Sequence, residues 1–589
     1  MFGRKSNFIN LIVESPKIEI NNLSLNLNSM KTLYLITLLF ALSGIGNHVI
    51  SQNLIWAKKM GGTDYDRGWS VTYDANGNVY TTGYFSGTAD FDPGPGTYNL
   101  SGTGTFISKL DVSGNFVWAK QFEGAYAASI ALDANGNVYT AGSFSNTVDL
   151  DPGAGMYNLI CAGFRDIFIS KLDGSGNFIW AKRIGGVSVD EAKSITVDIN
   201  GNIFTTGYFG NQVDFDPGPG TYNLLCFGYG IFVSKLDSSG NFVWTRDMGG
   251  NNDDYGFSIA LDSSGNVYTT GTFMNTADFD PGTGVYDLIA DSVYIDDIFI
   301  SKLDASGNFV WAKKFGGKMF EYVNSITIDV GGNVYTTGAI YDTVDFDPGP
   351  GTYNLIGNGA FVSKLDASGN FLWAKIIVES NSANGYSIIT DAIGNVYTTG
   401  FFTDTADFDP GIGTYNLISG AYDGDVFISK TSALGNFISA SQFKGFLTAI
   451  GTGFSLAADA IGNIYVTGRF SAYVDFDPGT AIYNLTTTGS DDIFVVKLNS
   501  ITSSTENDNS VNIVNIYPNP IVSNFTITID KIIHQGIVEI YSVLGEEVFS
   551  EKFFNESKKE INLKNISSGI YFVKIFDGEK SYCKKLIVK

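Results

Sequence analysis

Fourteen aspartates recur as seven Asp-x-Asp-Pro-Gly units: Asp90 and Asp92, Asp149 and Asp151, Asp214 and Asp216, Asp278 and Asp280, Asp345 and Asp347, Asp407 and Asp409, and Asp475 and Asp477. On an extended chain, carboxylates at i and i+2 point the same way. Hard oxygen ligands so placed could hold Ca²⁺, which makes these residues the candidate metal ligands and Ca²⁺ the candidate cofactor. The competing chemistry is local: an aspartate accepts backbone N–H groups and sets up the Pro-Gly turn. Full calcium loops offer more oxygens at regular spacing and a distal glutamate, and that pattern is missing. Turn chemistry is therefore the first expectation.

Catalytic sets are sparse. Between residues 53 and 499 there is no histidine; His48 precedes this stretch and His534 follows it. Ser-His-Asp, Cys-His and histidine-metal schemes are thereby removed from it. Cys161 and Cys226 stand at matching places in successive repeats, Cys583 lies in the tail, and all three read as unpaired. Glycine pairs such as Gly185-Gly186 lack the Lys-Ser/Thr of a phosphate loop. Acidic pairs abound, so a glycosidase-type pair stays open, although sevenfold repetition argues against one asymmetric catalytic site. The formal net charge is -24, and the repeat region carries the acidity. Nucleic acid is excluded as a partner, because phosphate contacts need lysine and arginine.

The elements that position these residues follow from the repeat. Ala128–Asp133 and Asn137–Phe144 flank an Asp-x-x-Gly-Asn turn, and Asp166–Asp173 and Asn177–Lys182 flank another, each with the signature of a hairpin. Each unit of roughly 60 to 70 residues thus holds four antiparallel strands, a to d, the pattern of a β-propeller blade. First-hairpin glycines (Gly77, Gly136, Gly201, Gly265, Gly332, Gly394 and Gly462) give a count of seven. The c-strand lysines (Lys109, Lys171, Lys235, Lys302, Lys364, Lys430 and Lys497) give the same count. The array opens on a d strand near Trp56 and ends on a c strand near Lys497. The fold expected is all-β, a seven-bladed propeller over 53–499 whose N-terminal strand completes the last blade. Trp56, Trp118, Trp180, Trp244, Trp311 and Trp373 mark d strands and read as inter-blade wedges rather than sugar platforms. In the remaining d strand Ser439 takes the tryptophan's place. Residues 290–296 and 419–425 vary between units and are the candidate selectivity loops.

Before the array, residues 1–29 read as a disordered upstream extension. Met30-Lys31 and the apolar run that follows read as a signal peptide over 30–51, cut between Ser51 and Gln52. After it, residues 500–511 read as a polar linker and 512–589 as a small β-sandwich of seven short strands.

Two resemblances add to this. The units Ser-Ile-x-x-Asp-x-x-Gly-Asn-Val-Tyr-Thr-Thr-Gly and Phe-Ile-Ser-Lys-Leu-Asp-x-Ser-Gly-Asn-Phe-x-Trp-Ala-Lys resemble bacterial SBBP-type β-propeller repeats, which implies a secreted propeller of no assigned activity. In the tail, Tyr517-Pro518-Asn519-Pro520, Gly545 at the end of Val538–Gly545, Gly569 and Tyr571 to Lys574, and the Lys585 to Lys589 end look like a Bacteroidetes type IX secretion system sorting domain. That resemblance implies the secretion machinery as a partner and an extracellular or outer-membrane surface location. It also implies removal of the tail, often with attachment to lipopolysaccharide. The function expected is a non-catalytic, monomeric binding or adhesion module for an extracellular glycan or protein. The alternatives are a polysaccharide-acting enzyme using acidic residues and a structural surface-layer component.

Overall fold

The computed structural model describes residues 52–499, apart from 293, 422, 423 and 447. Toward the C-terminus it describes residues 514–588, apart from 518, 522, 534–535, 543–546, 564–565, 568 and 577–580. Every regular element among the described residues is a strand, and they fall into two compact units divided near residue 501. The expected extension, the signal peptide including Ser51, and the linker over 500–511 lie outside the described residues.

The first unit is built from antiparallel four-strand ladders. Arg67–Tyr73, Val79–Asp90, Asn99–Leu110 and Phe116–Glu123 pair in that order as strands a to d. The same order recurs through the chain and ends in Gly451–Ala458, Ile464–Phe470 and Asp492–Leu498. That last ladder takes its fourth strand from the other end of the chain: Leu54–Gly62 pairs with Asp492–Leu498, with Trp56 opposite Lys497 and Lys59 opposite Phe494. Asn53 and Asn499 close the seam, where each backbone N–H donates to the other residue, one to the carbonyl and one to the side-chain oxygen.

The a–b and c–d turns are made by one device. In Asp74-Ala75-Asn76-Gly77-Asn78 the Asp74 carboxylate accepts the N–H groups of Asn76 and Asn78 and the Asn78 side-chain amide. Gly77 supplies the φ of 77° that closes the turn. Alternation along the strands sends one set of side chains into clusters shared with the neighbouring ladder. Tyr139 and Ile167 from one ladder pack with Ile195, Phe209 and Phe232 of the next, and all are buried.

Sequence reasoning missed one joint. The Asp-x-Asp unit and its partner Asn-Leu segment form a short hairpin that hydrogen-bonds to the d strand of the preceding ladder, as in Gly185 with Asp214 and Gly186 with Val213. The glycine pair Gly185-Gly186 ends the d strand Phe178–Gly186, and the missing side chains let this hairpin approach. A Cβ on Gly186 would lie 2.2 Å from the Gln212 carbonyl oxygen.

The second unit holds a three-stranded sheet (Val514–Tyr517, Asn524–Ile533, Glu556–Asn562) and a four-stranded one (Glu547–Phe553, Gly536–Ser542, Gly569–Phe576, Ser581–Val588). Phe525, Ile527 and Ile561 of the first share one core with Val538, Ile540, Val573 and Leu586 of the second.

Candidate functional site

The aspartate pairs begin at the ends of the long b strands Val79–Asp90 and Ile203–Asp214 or of short strands that follow the other b strands, such as Thr147–Asp149, and they spend their oxygens on the backbone. Asp90 Oδ1 accepts the N–H groups of Asp92 and Tyr98, and Asp92 Oδ1 accepts that of Gly94. Asp149 and Asp151, Asp214 and Asp216, and Asp278 and Asp280 repeat these bonds. So do Asp345 and Asp347, Asp407 and Asp409, and Asp475 and Asp477. The residue between each pair, such as Phe91, Leu150 or Phe215, is fully buried, which pins the unit to the core. Among the described residues, no group of three or more His, Cys, Asp or Glu side chains is placed to hold a metal ion.

The c-strand lysines and d-strand tryptophans are consumed in the same way. Lys171 Nζ lies 4.9 Å from the Tyr139 ring centroid and donates to the Ser238 carbonyl of the next ladder. Burial pushes its ammonium pKa down, with Asp133 pulling the other way. Trp311 donates through Nε1 to the Ala367 carbonyl, and its ring lies against Gly369, where a Cβ would stand 3.1 Å away. Trp56, Trp118, Trp180, Trp244 and Trp373 meet Gly114, Gly176, Gly240, Gly307 and Gly435 likewise. Ser439 stands where the pattern needs no tryptophan. Its neighbour is the seam ladder, in which the chain ends replace the c–d turn and Gln52 is buried close to Ser441.

What remains facing an open space is a set the repeat does not fix. Each a strand carries a β-bulge, and the bulged residues are Trp69, Ala128, Lys193, Phe257, Asn324, Tyr386 and Phe454. A bulge re-aims a side chain, and all of these line one cavity of about 620 Å³, inside the size range of small-ligand sites. The glycine of Tyr-Thr-Thr-Gly makes the bulge. Gly338 lies under it, so close that a Cβ would fall 1.7 Å from the Tyr322 carbonyl oxygen. The serine after each bulge holds the strands together. Ser70 Oγ accepts from Ile130 N–H, Ser129 from Ile195, Ser194 from Ile259, and Ser258 from Ile326. Ser325 accepts from Ile388, Ser387 from Leu456, and Ser455 from Val71, which returns to the first ladder.

The cavity is two-sided. One arc is aromatic: Trp69 and Phe454 have ring centroids 4.5 Å apart, and Tyr386 stands 5.3 Å from Phe454. The other arc is charged. Buried Glu191 holds Arg165 on one carboxylate oxygen and Lys193 on the other. Burial raises its pKa, but the two cations outweigh that and hold it below the ordinary range. Sequence reasoning did not find these residues. For the bulged residues the signal was the position before each serine of Ser-Ile, Ser-Val or Ser-Leu, which changes type while its surroundings repeat.

A second acidic set lies at the d–a connections. Asp66, Asp190 and Asp254 each accept two backbone N–H groups, and burial raises them to about 7, about 6 and about 7. The corresponding Glu321 is 2% exposed and takes no hydrogen bond from another residue on either oxygen. Burial, then the charge of Asp297, lifts it to about 8.

The expected selectivity loops are described in part: Asp291 pairs with Lys314, while residues 293, 422 and 423 lie outside the described residues. Cys161 and Cys226 are free thiols. In the tail, Tyr517 is exposed, Asn519 Oδ1 accepts the Ile587 N–H, and Pro520 follows in the same turn. Gly569 opens a strand, Tyr571 is buried with its hydroxyl on the Ser567 carbonyl, and Lys574 pairs with Glu539. Lys585 faces Phe572 in register. Pro518, Gly545 and Lys589 lie outside the described residues. No helix among the described residues is long and apolar enough to cross a membrane.

Comparison with known proteins adds the following. Residues 515–589 match the family described as a secretion system C-terminal sorting domain, and residues 179–208 and 243–272 match the beta-propeller repeat family SBBP. A WD repeat-containing protein of Acanthamoeba polyphaga mimivirus is 25% identical over 59% of this chain and 31% of its own length. An endo-acting ulvan lyase of Formosa agariphila is 31% identical over 18% of this chain and 21% of its own. An ulvan lyase of Nonlabens ulvanivorans is 42% identical over 13% and 14%. The chain thus spans less than a third of each of these relatives. Among solved structures, the Dos1 propeller is 10% identical over 76% of this chain and 95% of its own, with a TM-score of 0.35, too low to carry an argument. The repeats and the tail are nonetheless identified from their own residues: the chain carries SBBP-type β-propeller repeats and ends in a type IX secretion system sorting domain, which marks it for export to the outer-membrane surface or beyond.

Proposed function

We propose that residues 53–499 form a closed seven-bladed propeller that acts as a non-catalytic binding or adhesion module, with residues 512–589 a β-sandwich that engages the type IX secretion machinery. One observation carries the binding role. The side chains that repeat are spent on holding neighbouring ladders together, and those that differ from unit to unit line the inner cavity. A site with one aromatic and one charged arc can select a ligand, which a purely structural surface-layer part does not require.

The second reading, a polysaccharide-acting enzyme, is favoured by the short likenesses to ulvan lyases. Against it, the carboxyl with the highest pKa given above, Glu321, is buried beyond reach of a substrate, and the cavity offers one carboxylate, Glu191, already held by two cations. Incubating the purified protein with a glycan panel separates the readings. Retention of glycan without chain cleavage supports the binding module; products of cleavage support the enzyme.

A further inference from the structure

The inner cavity invites a more specific assignment. We propose that it binds the acidic end residue of a saccharide, with the pyranose ring on the Trp69–Phe454–Tyr386 arc and its carboxylate or sulfate on Arg165 and Lys193. This rests on the cavity being the ligand site.

The charged arc is arranged for an anion. The Glu191 side chain is 10% exposed, beneath Arg165 at 42% and Lys193 at 33%. Its carboxylate fixes the two cations, and the groups presented to the cavity are positive, with a net charge of +1 over the three. A preset guanidinium is suited to a planar oxyanion. The site lies in a chain of net charge -24. A long polyanion would be repelled by that field, so a chain end fits better than a chain middle.

The aromatic arc favours a sugar over a flat aromatic acid. The Trp69 and Phe454 planes meet at 48° and those of Tyr386 and Phe454 at 62°, so neither pair forms a parallel slot. Asn324 also lines the cavity; its amide N–H groups are held by Asn384 and the Gly385 carbonyl, which leaves Oδ1 to accept from a sugar hydroxyl. Ring C–H faces on half-exposed aromatics, with polar groups beside them, are what a pyranose needs.

The test is calorimetric titration of the purified protein with trigalacturonate, with neutral galactotriose and with triglutamate. Trigalacturonate should bind, and the other two should bind at least about tenfold more weakly, the size of one lost charge contact. Arg165→Gln and Lys193→Gln should each weaken trigalacturonate about tenfold. Trp69→Leu should weaken it too, with Tyr386→Leu as an independent probe if Trp69→Leu melts early. Equal binding of galactotriose, still lost in Trp69→Leu, would overturn the acidic class while the cavity stood. Triglutamate binding as well would overturn the saccharide. Trigalacturonate binding untouched by all four substitutions would remove the cavity as the site. No binding of trigalacturonate would overturn the proposal.

Discussion

Two sets of side chains stand one residue apart on the a strands. The serines that follow the bulges are identical in every unit and bond each ladder to the next. The bulged residues before them are Trp, Ala, Lys, Phe, Asn, Tyr and Phe, and their side chains face the cavity. The contrast teaches how a repeat acquires an asymmetric site. The backbone device is copied, and the bulge turns one side chain per a strand toward the cavity, where it can differ.

Substitutions among the repeated residues should cost stability. Trp311→Ala removes a ring packed between ladders and should destabilise the unit by about 3–5 kcal/mol in denaturant titration. Gly338→Ala drives a methyl into the Tyr322 carbonyl and should cost about 1–3 kcal/mol or more by the same measurement.

The acidic set at the d–a connections gives a pH signature. Asp66, Asp190, Asp254 and Glu321 have folded pKa values raised above their unfolded ones, so the folded state binds more protons between about pH 4 and about pH 8. Their contribution is complete below the unfolded pKa and is lost as pH rises through the folded values. The melting temperature should therefore be higher at pH 5 than at pH 8.5. Glu321→Gln, which cannot ionise, should restore on the order of 1–2 kcal/mol at the higher pH. Lys193→Gln leaves the buried Glu191 carboxylate with Arg165 alone and should cost about 1–2 kcal/mol, less than Trp311→Ala. Chelation of divalent cations should leave the melting temperature unchanged, since the aspartate pairs are engaged with backbone N–H groups; a fall on adding chelator would restore Ca²⁺ to them.

Much of the framework was legible from period and alternation. Strands a to d and the pairing of the Trp56 strand with the Lys497 strand lie within a few residues of where the sequence puts them, and the described tail holds the seven strands expected. The role of Ser439 was not, because its reason lies in a neighbour made from the two chain ends, hundreds of residues apart. The cavity was not legible either. Motif reading rewards positions that recur, whereas Trp69, Lys193 and Tyr386 matter because they do not. Arg165 and Glu191 come together only through pairing between ladders.

The most direct test profiles the purified protein and a Trp69→Leu/Lys193→Gln double variant on one glycan array, with melting curves alongside. The account predicts that the bound glycans are lost in the variant while its melting temperature stays within a few degrees of the parent. An unchanged glycan profile in a fully folded variant would contradict it.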